Sequence, residues 1–252
     1  MVAPLLALAA LATALVAPPA APLPRPYELV QLNLCLSGVA DCAPRTAYPA
    51  VLQEAEALLR AEQPAAVTVA EGCSGDVEAL ARATGYAAAF SVVRVGGAPL
   101  ECTSPGGRGV FGGAVLVRGE ARAVEDAPFA AQAGAEQRRS LCATGADGHR
   151  VCTAHLVPVR DLASLAANGA QCRELAAVLA RGGPTAFGGD LNRALPCAPA
   201  GWSVQRDDGA AQAAGVQHAY GGPGSALTGA QVVPMARTDH DALVARGWWR
   251  PV

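Results

Sequence analysis

The sequence predicts one α/β domain of the α+β kind, built on mixed β-sheets. Short apolar runs that favour β-structure alternate with segments of helical spacing, a pattern typical of α/β chains. Two of these runs, 138–142 and 149–156, are joined by Asp147-Gly148, a turn that favours an antiparallel hairpin. The sheets are therefore expected to be mixed rather than purely parallel. With 252 residues the chain can bury one sizeable core, and one domain is favoured over two small ones.

The first four elements follow directly from local pattern. Residues 27–34 alternate apolar and polar side chains, which predicts a half-buried strand. An apolar stripe at helical spacing predicts a helix over 48–62, which Pro64 ends. Residues 65–70 form an apolar run that predicts a buried strand, and a short helix is expected over 76–83.

The middle of the chain contains two further strands before the hairpin. β-favouring residues predict strands over 87–95 and 110–117, and the glycine- and proline-rich segment 96–109 between them is typical of a loop. Residues 119–137 are rich in Ala and Glu and carry no pattern that assigns them to an element.

The last third begins with an amphipathic helix over 161–181, which Gly182-Gly183-Pro184 stops. A strand over 185–187 follows, and residues 193–215 are typical of a loop. Short β-favouring runs predict the remaining strands over 216–220, 231–235 and 242–245.

The first 26 residues are typical of a secretory signal peptide. Residues 2–17 are apolar and uncharged, and small residues and prolines follow at 18–21. The run is shorter than a bilayer span and no basic cluster follows it. No Lys or Arg precedes the apolar core, so an uncleaved N-terminal anchor stays an alternative. We predict a signal peptide or anchor over 1–26, a folded domain over 27–252, and a secreted, extracellular protein.

Composition narrows the class further. The formal net charge is −2 and the sequence contains no lysine, which argues against a basic protein that wraps nucleic acid. The chain has eight cysteines, and an even number in an exported chain predicts a disulfide framework. Proximity in sequence suggests the pairs Cys35–Cys42, Cys73–Cys102, Cys142–Cys152 and Cys172–Cys197.

A distinctive polar motif stands at the end of the strand predicted over 185–187: Phe187-Gly188-Gly189-Asp190-Leu191-Asn192. The i, i+2 spacing puts Asp190 and Asn192 on one face of an extended backbone. The two glycines let another group approach the backbone closely. The pair suits a hard cation or a phosphate, whereas the alternative is a tight Asx-turn.

Other polar side chains also stand where predicted strands end. In α/β folds such groups converge on one cleft. Carboxylate and amide oxygens bind a hard cation, the cation neutralises phosphate charge, and a histidine handles the proton of an attacking water. Each residue alone has a structural alternative, such as a turn, surface exposure or a hydrogen-bonded strand histidine. The set is Asn33, Glu71, His155, Asp190, Asn192, Asp239 and His240.

Six short motifs in order resemble the endonuclease/exonuclease/phosphatase superfamily, whose DNase-like fold is a four-layer sandwich of two mixed sheets flanked by helices. The resemblance covers roughly residues 27 to 247. The motifs are Gln31-Leu32-Asn33-Leu34, Val69-Ala70-Glu71, Phe111-Gly112-Gly113-Ala114-Val115, Thr153-Ala154-His155-Leu156, Gly188-Gly189-Asp190-Leu191-Asn192 and Thr238-Asp239-His240.

The resemblance implies a role for each of these polar residues. Asn33 and Glu71 would bind the divalent cation, which we expect to be Mg²⁺, with Mn²⁺ or Ca²⁺ as alternatives. Asp190 would orient or activate the water, and Asn192 would contact the phosphate. His155 and His240 would flank the scissile phosphate, and Asp239 would support the histidines or a second cation. Arg108 is expected to join Asn192 in substrate binding.

Two departures from the family pattern bear on activity. Gln217 stands where many members carry an aspartate, and a carboxamide is neither a base nor a strong cation ligand. The strand over 110–117 also lacks the acidic residue that DNase-like members place beside a histidine. His218 is expected to be structural, because a lone strand histidine usually satisfies local hydrogen bonds.

Three functions remain open at this point. The first is a secreted, Mg²⁺-dependent, nuclease-like phosphodiesterase that acts as a monomer without a protein partner. The second is a sphingomyelinase-type lipid phosphodiesterase, in which Trp248 and Trp249 touch a membrane interface rather than pack in the core. The third, motivated by Gln217, is a secreted binding module that keeps the fold without catalysis.

Overall fold

The computed structural model describes residues 23–39 and 48–251. Three helices lie in this part of the chain: α1 (Ala50–Glu62), α2 (Ser74–Thr84) and α3 (Leu162–Leu179). The strands are β1 (Arg25–Asn33), β2 (Ala66–Cys73), β3 (Tyr86–Val92), β4 (Arg94–Val95), β5 (Ala98–Pro99), β6 (Phe111–Arg118), β7 (Arg122–Pro128), β8 (Glu136–Gln137), β9 (Arg139–Thr144), β10 (Arg150–Ala154), β11 (Thr185–Asp190), β12 (Ser203–Arg206), β13 (Gln217–Gly221), β14 (Ser225–Val233) and β15 (Ala242–Trp249).

Most strands belong to two six-stranded mixed sheets. The first has the order β14-β15-β1-β2-β6-β3, and the second has the order β12-β13-β11-β10-β9-β7. Each sheet contains one parallel pair at its centre, β1 with β2 and β10 with β11. A small three-stranded sheet, β5-β4-β8, adjoins them. The carboxyl ends of each central parallel pair meet at one edge of their sheet.

The two large sheets face each other across an apolar core that includes Leu29, Val115 and Leu243. Helices α1 and α2 cover the outer face of the first sheet, where Leu59 and Leu80 pack against its strands. Helix α3 covers the second sheet through Leu175 and Leu179, among others. The predicted four-layer, DNase-like sandwich of two mixed sheets is confirmed.

Strand β1 is more deeply buried than its alternating pattern predicts. Helices cover one of its faces and the second sheet covers the other, so even Gln31 is fully buried. The Gln31 side chain satisfies its polar atoms by accepting from Thr68 Oγ1 at 2.6 Å and donating to the Leu32 carbonyl at 2.9 Å. The prediction of a half-buried strand is wrong here, because a sandwich core places polar residues of a central strand inside.

Gly188 and Gly189 permit close packing around β11, as their position suggested. A Cβ atom at Gly188 would collide with the Thr68 hydroxyl of the facing sheet, and one at Gly189 would collide with the Ala154 carbonyl of β10. Neither glycine has a positive φ. The two glycines are therefore needed because they lack a side chain, not because of their backbone conformation. The missing side chains let the end of β11 pack closely against β10 and the first sheet.

Three of the four predicted disulfides are present: Cys73–Cys102, Cys142–Cys152 and Cys172–Cys197. The fourth, Cys35–Cys42, stays a prediction because Cys42 lies outside the described residues. The predicted signal or anchor over 1–26 also lies outside them up to residue 22. Strand β1 begins at Arg25, ahead of the predicted domain boundary at residue 27.

Within the described residues, no helix has the length and apolar character needed to cross a membrane. Two segments without a clear sequence pattern contain strands. Segment 119–137 contains β7, and the predicted loop 193–215 contains β12. The last strand, β15, extends through Trp249; this residue is buried, whereas Trp248 is 36% exposed.

Candidate active site

Six of the predicted site residues line one cleft of about 480 Å³ at the edge where the central strands end: Glu71, His155, Asp190, Asn192, Asp239 and His240. The seventh, Asn33, is buried directly beneath them. Its Nδ2 donates to Glu71 Oε1 and to Asp190 Oδ2, each at 3.0 Å. The structure therefore brings together side chains that are up to about two hundred positions apart in the chain.

The strand ends position these groups in pairs. Asn33 closes β1 and Glu71 lies in the neighbouring β2, while Asp190 closes β11 beside His155, which follows β10. Thr238 donates from its hydroxyl to the Asn33 carbonyl at 2.9 Å. This bond fixes the loop that carries Asp239 and His240 over the end of the first sheet.

Glu71 and Asn192 occupy left-handed backbone conformations, with φ of 58° and 51° respectively. The pairing of β2 with β6 shifts register between Val69 and Gly72, and such a bulge re-aims a side chain. Asn192 is held by its backbone N–H, which donates to Asp190 Oδ1 at 2.9 Å. The Asx-turn is thus real and coexists with the site. Strained backbone of this kind clusters at functional positions.

Two carboxyl groups of the cluster differ in proton affinity. Burial raises the pKa of Glu71 to about 7, and the negative charges of Asp190 and Asp239 add to this, although the hydrogen bond from Asn33 opposes it. For Asp190 burial also acts to raise the pKa. It is outweighed by the adjacent imidazoles of His155 and His240 and by its hydrogen bonds, so the pKa of Asp190 is lowered.

The two histidines face the carboxylates from opposite loops. His240 Nε2 lies 3.7 Å from Asp190 Oδ2, and His155 Nε2 lies 4.0 Å from both Asp190 Oδ2 and Glu71 Oε1. Burial, with the nearby positive charge of Arg138, lowers the pKa of His155 to about 3, which keeps its imidazole neutral at pH 7. Asn192 Nδ2 lies 3.0 Å from His155 Nε2.

The donor set fits a cation that keeps most of its waters. Among the described residues, no three His, Cys, Asp or Glu side chains are close enough together to form a complete metal cage. Asn33 Nδ2 nevertheless holds the half-buried Glu71 carboxyl close to the buried Asp190 carboxylate, and among the described residues no Arg side chain forms an ion pair with either. Mg²⁺ is typically held by one or two carboxylates and several waters, whereas Ca²⁺ takes six to eight oxygen ligands. The cluster suits Mg²⁺ or Mn²⁺ better than Ca²⁺.

Arg108 does not line the cleft, so its predicted role in substrate binding is wrong. Its guanidinium forms an ion pair with Asp76 at 2.7 Å, and both side chains are only 6% exposed. It also donates to the carbonyls of Leu36 and Thr103. Arg108 therefore holds the loop that precedes β6, and its donors are all directed into the protein.

Arg138 occupies the place that Arg108 was expected to fill. It lines the cleft, is 8% exposed, and pairs through Nη2 with Glu136 Oε2 at 2.8 Å. Its Nε and Nη1 are buried without a hydrogen-bond partner among the described residues. Unpaired buried donors are costly unless a ligand satisfies them, so Arg138 is the stronger candidate for an anion-binding residue. Arg160 lines the same cleft and is exposed.

Gln217 does not line the cleft. It is fully buried, donates to the Asp241 carbonyl at 2.6 Å and accepts from Gln31 at 3.3 Å. His240 Nδ1, by contrast, is buried without a partner among the described residues. His218 is structural, as predicted: Nδ1 lies 2.8 Å from Tyr220 Oη, and Nε2 lies 2.8 Å from the Arg193 carbonyl.

A scan of the sequence against protein-family models and a search of curated proteins gave no match. Solved structures do resemble the chain. An endonuclease/exonuclease/phosphatase from Beutenbergia cavernae DSM 12333 has a TM-score of 0.66 and 19% identity, over 90% of this chain and 72% of that one. The human Nocturnin catalytic domain with bound sulfate gives 0.62 and 13%, over 88% and 94%.

A third similar structure is D. rerio TDP2 complexed with a single-strand DNA product, with a TM-score of 0.62 and 15% identity over 88% of this chain and 98% of that one. At these identities the likeness establishes the fold. The chain has the endonuclease/exonuclease/phosphatase fold, as the six motifs indicated.

Proposed function

We propose that this protein is a divalent-metal-dependent phosphoesterase that hydrolyses a phosphodiester. One observation carries the proposal. Glu71, Asp190 and His240, which come from three distant segments, meet within one cleft that the Arg138 guanidinium also lines. The carboxylates suit a cation and the guanidinium suits a phosphate oxygen. The likeness to endonuclease/exonuclease/phosphatase structures supports the same reaction class.

Glu71 and Asn33 would hold the cation, with Asp239 beside them. When bound, the cation would neutralise charge on the phosphate oxygens. Asp190, whose lowered pKa keeps it ionised, would orient a water for attack on phosphorus, and His240 would accept the water proton. One new P–O bond forms as the bond to the leaving oxygen breaks. Asn192 and Arg138 would stabilise the charge on the phosphoryl oxygens.

Nucleic acid is the first substrate class to test, because TDP2 was solved with a single-strand DNA product. The net charge of −2 counts against long nucleic acids, since binding of the phosphate backbone usually needs a basic face. A lipid phosphodiester is the second candidate substrate, because Val159, Leu162 and Leu165 form an exposed apolar surface beside the cleft.

We also propose that the protein is secreted as a monomer, with residues 1–26 as signal peptide or anchor and residues 27–252 as one domain. Three disulfides support an oxidising compartment, because such bonds rarely persist in a reducing cytosol. Non-reducing peptide mapping and size-exclusion chromatography of protein recovered from culture medium would test these points. Free thiols throughout would contradict export.

The decisive experiment measures hydrolysis of bis(4-nitrophenyl) phosphate, single-stranded DNA and sphingomyelin in Mg²⁺, with and without chelator. Glu71→Gln and His240→Asn should each reduce kcat by at least about a hundredfold, in the range of lost acid–base catalysis. Asp208→Asn is the matched control, because Asp208 is an exposed carboxylate outside the cleft. Chelator-insensitive turnover, or full activity of both variants, would refute the proposal. Absence of both turnover and cation binding would favour the non-catalytic module.

A further inference from the structure

The cleft continues beyond the candidate catalytic groups into a second cavity of about 440 Å³, here called the distal lobe. One wall of the distal lobe is residues 133–138 and the other is residues 157–164. The two cavities share Glu136, Arg138, Pro158 and Arg160, so they form one continuous depression. A substrate whose phosphate lies beside Arg138 must therefore direct one of its ester groups toward the distal lobe or away from the protein.

One buried side chain fixes the distance between the two walls. Gln171 of α3 is fully buried. Its Oε1 accepts from the Val157 backbone N–H at 2.9 Å, and its Nε2 donates to the Ala131 carbonyl at 2.9 Å. Glu174, one turn further along α3, accepts from the backbone N–H groups of Ala130 and Ala131. Helix α3 therefore anchors both the 157–164 wall and the segment that leads into the 133–138 wall, so the distal lobe is formed before any ligand arrives.

The chemistry of the distal lobe beyond its junction is apolar and small. None of the described residues that line it is aromatic, and Ala133, Ala135 and Ala163 leave the space open. Away from the junction its polar side chains are Asp161 and Ser164, which bond each other: Asp161 Oδ1 accepts from the Ser164 N–H at 2.8 Å, and Ser164 Oγ accepts from the Asp161 N–H at 2.9 Å. The Asp161 carboxylate is exposed and can accept but not donate a hydrogen bond. The lobe offers apolar contact but neither a stacking surface nor a free donor for a nucleobase.

The outer side of the 157–164 wall extends this apolar character. Val159, Leu162 and Leu165 are 43%, 83% and 53% exposed, and the two leucines lie on one helical face at i, i+3. An apolar patch beside a binding cleft marks an interaction site. Arg160 stands exposed within the same segment and adds positive charge at the junction.

We propose that the distal lobe binds the second ester group of the substrate, and that this group is an aliphatic chain rather than a nucleoside. The Arg138 guanidinium holds the phosphate at the junction of the two cavities, and the chain lies between the two walls. This inference rests on the proposed phosphodiesterase function and specifies its substrate. It favours a lipid-type phosphodiester over nucleic acid.

The test is calorimetric binding to the whole protein in Mg²⁺ of three product-like ligands: methyl phosphate, hexyl phosphate and thymidine 5′-phosphate. Each buried methylene increases affinity about fourfold, so burial of two of them makes hexyl phosphate bind at least about tenfold more tightly than methyl phosphate. Ala163→Trp fills the distal lobe and should lower the affinity for hexyl phosphate to that for methyl phosphate. Ala166→Trp lies on the same helix outside the lobe and should retain the preference.

Three results would overturn the inference. They are equal affinity for the methyl and hexyl ligands, tighter binding of thymidine 5′-phosphate than of hexyl phosphate, and a preference that survives Ala163→Trp. Thermal melting checks that this variant folds, and Ala135→Trp on the opposite wall gives the same test if it does not. Because binding needs no turnover, a hexyl preference without hydrolysis of any diester would contradict the proposed function but support the distal lobe.

Discussion

Replacement of His149 by phenylalanine should remove one source of the protein's sensitivity to acid. His149 directly precedes β10 and packs against Tyr27 near the start of β1, whereas Asn33 lies at the opposite end of that strand. It is 2% exposed, stacks on Trp249 at 4.9 Å between ring centroids, and meets the Tyr27 ring edge-on at 4.4 Å. Neither of its ring nitrogens has a hydrogen-bond partner among the described residues. The folded protein therefore holds this imidazole neutral.

The magnitude follows from linkage. Burial lowers the pKa of His149 to about 4 in the folded state, against an ordinary value of about 6.5 in the unfolded state. Above pH 6.5 both states are neutral and the group has no effect. As pH falls toward 4 the unfolded state takes up the proton first, so stability falls. Between pH 7 and pH 4.5 this single group should cost about 2 kcal/mol of unfolding free energy.

Urea denaturation of wild type and His149→Phe at several pH values between 4.5 and 7 measures the effect. The difference in unfolding free energy between the two proteins should grow by about 2 kcal/mol in favour of the variant as pH falls. Other titrating groups cancel in this difference. A cavity of about 60 Å³ beside His149 accommodates the larger ring. A difference that does not change with pH, or a His149 pKa above 6 by nuclear magnetic resonance, would refute the reasoning.

Three further predictions concern the site and its supports. Glu71→Gln should melt at a higher temperature than wild type at pH 8 without divalent cation, because it removes a desolvated carboxyl whose pKa is raised to about 7. We expect Mg²⁺ to raise the melting temperature of wild type but not of this variant. Arg108→Ala should lower the free energy of unfolding, measured by urea denaturation, by about 3 kcal/mol or more, because it leaves Asp76 buried and unpaired. Arg138→Ala should weaken phosphate binding in calorimetry and lower the free energy of unfolding by less. Equal effects of the two variants on stability and on phosphate binding would contradict these roles. Gln217→Ala should lower the free energy of unfolding by about 1–3 kcal/mol, and Mg²⁺ binding should persist. Loss of Mg²⁺ binding in a folded variant would contradict the placement of Gln217 outside the cleft.

The site was predictable because its signal is local. A polar residue at the end of an apolar strand is unfavourable unless it is paired or functional. This reasoning selected Asn33, Glu71 and Asp190 without knowledge of the fold. The mixed sheets gather such ends at one edge, so the convergence followed from the strand pattern.

The choice of arginine was not predictable by the same route. Arg108 lies in the glycine- and proline-rich loop 96–109 and Arg138 at the start of the predicted strand 138–142, and neither sequence neighbourhood says which guanidinium is fully used inside the protein. Asp76 of helix α2 pairs with Arg108, whereas Arg138 pairs with its near neighbour Glu136. The distinction depends on contacts between segments far apart in the chain.

Strand β7 escaped prediction for a different reason. All seven of its residues, Arg122–Pro128, are exposed, so the strand has no buried face and no alternation of apolar side chains. In the described part of the chain it is an edge strand whose pairing partner is β9. An ion pair joins Asp126 to Arg139 of β9, and a second joins Glu125 to Arg150 of the next strand, β10. Its conformation is imposed by its neighbour, and periodicity does not detect such strands.

The position of Gln217 bears on whether the protein would lose catalysis or only catalyse more slowly. The amide is turned into the core, where it bonds Asp241 and Gln31, so its presence removes no carboxylate from the cation-binding edge. Among the described residues, His240 Nδ1 has no hydrogen-bond partner. A histidine without a carboxylate behind it is less well oriented and stabilises the imidazolium less. If the proposed function holds, Gln217 would slow proton transfer by His240 and would leave the carboxylates of the cleft in place.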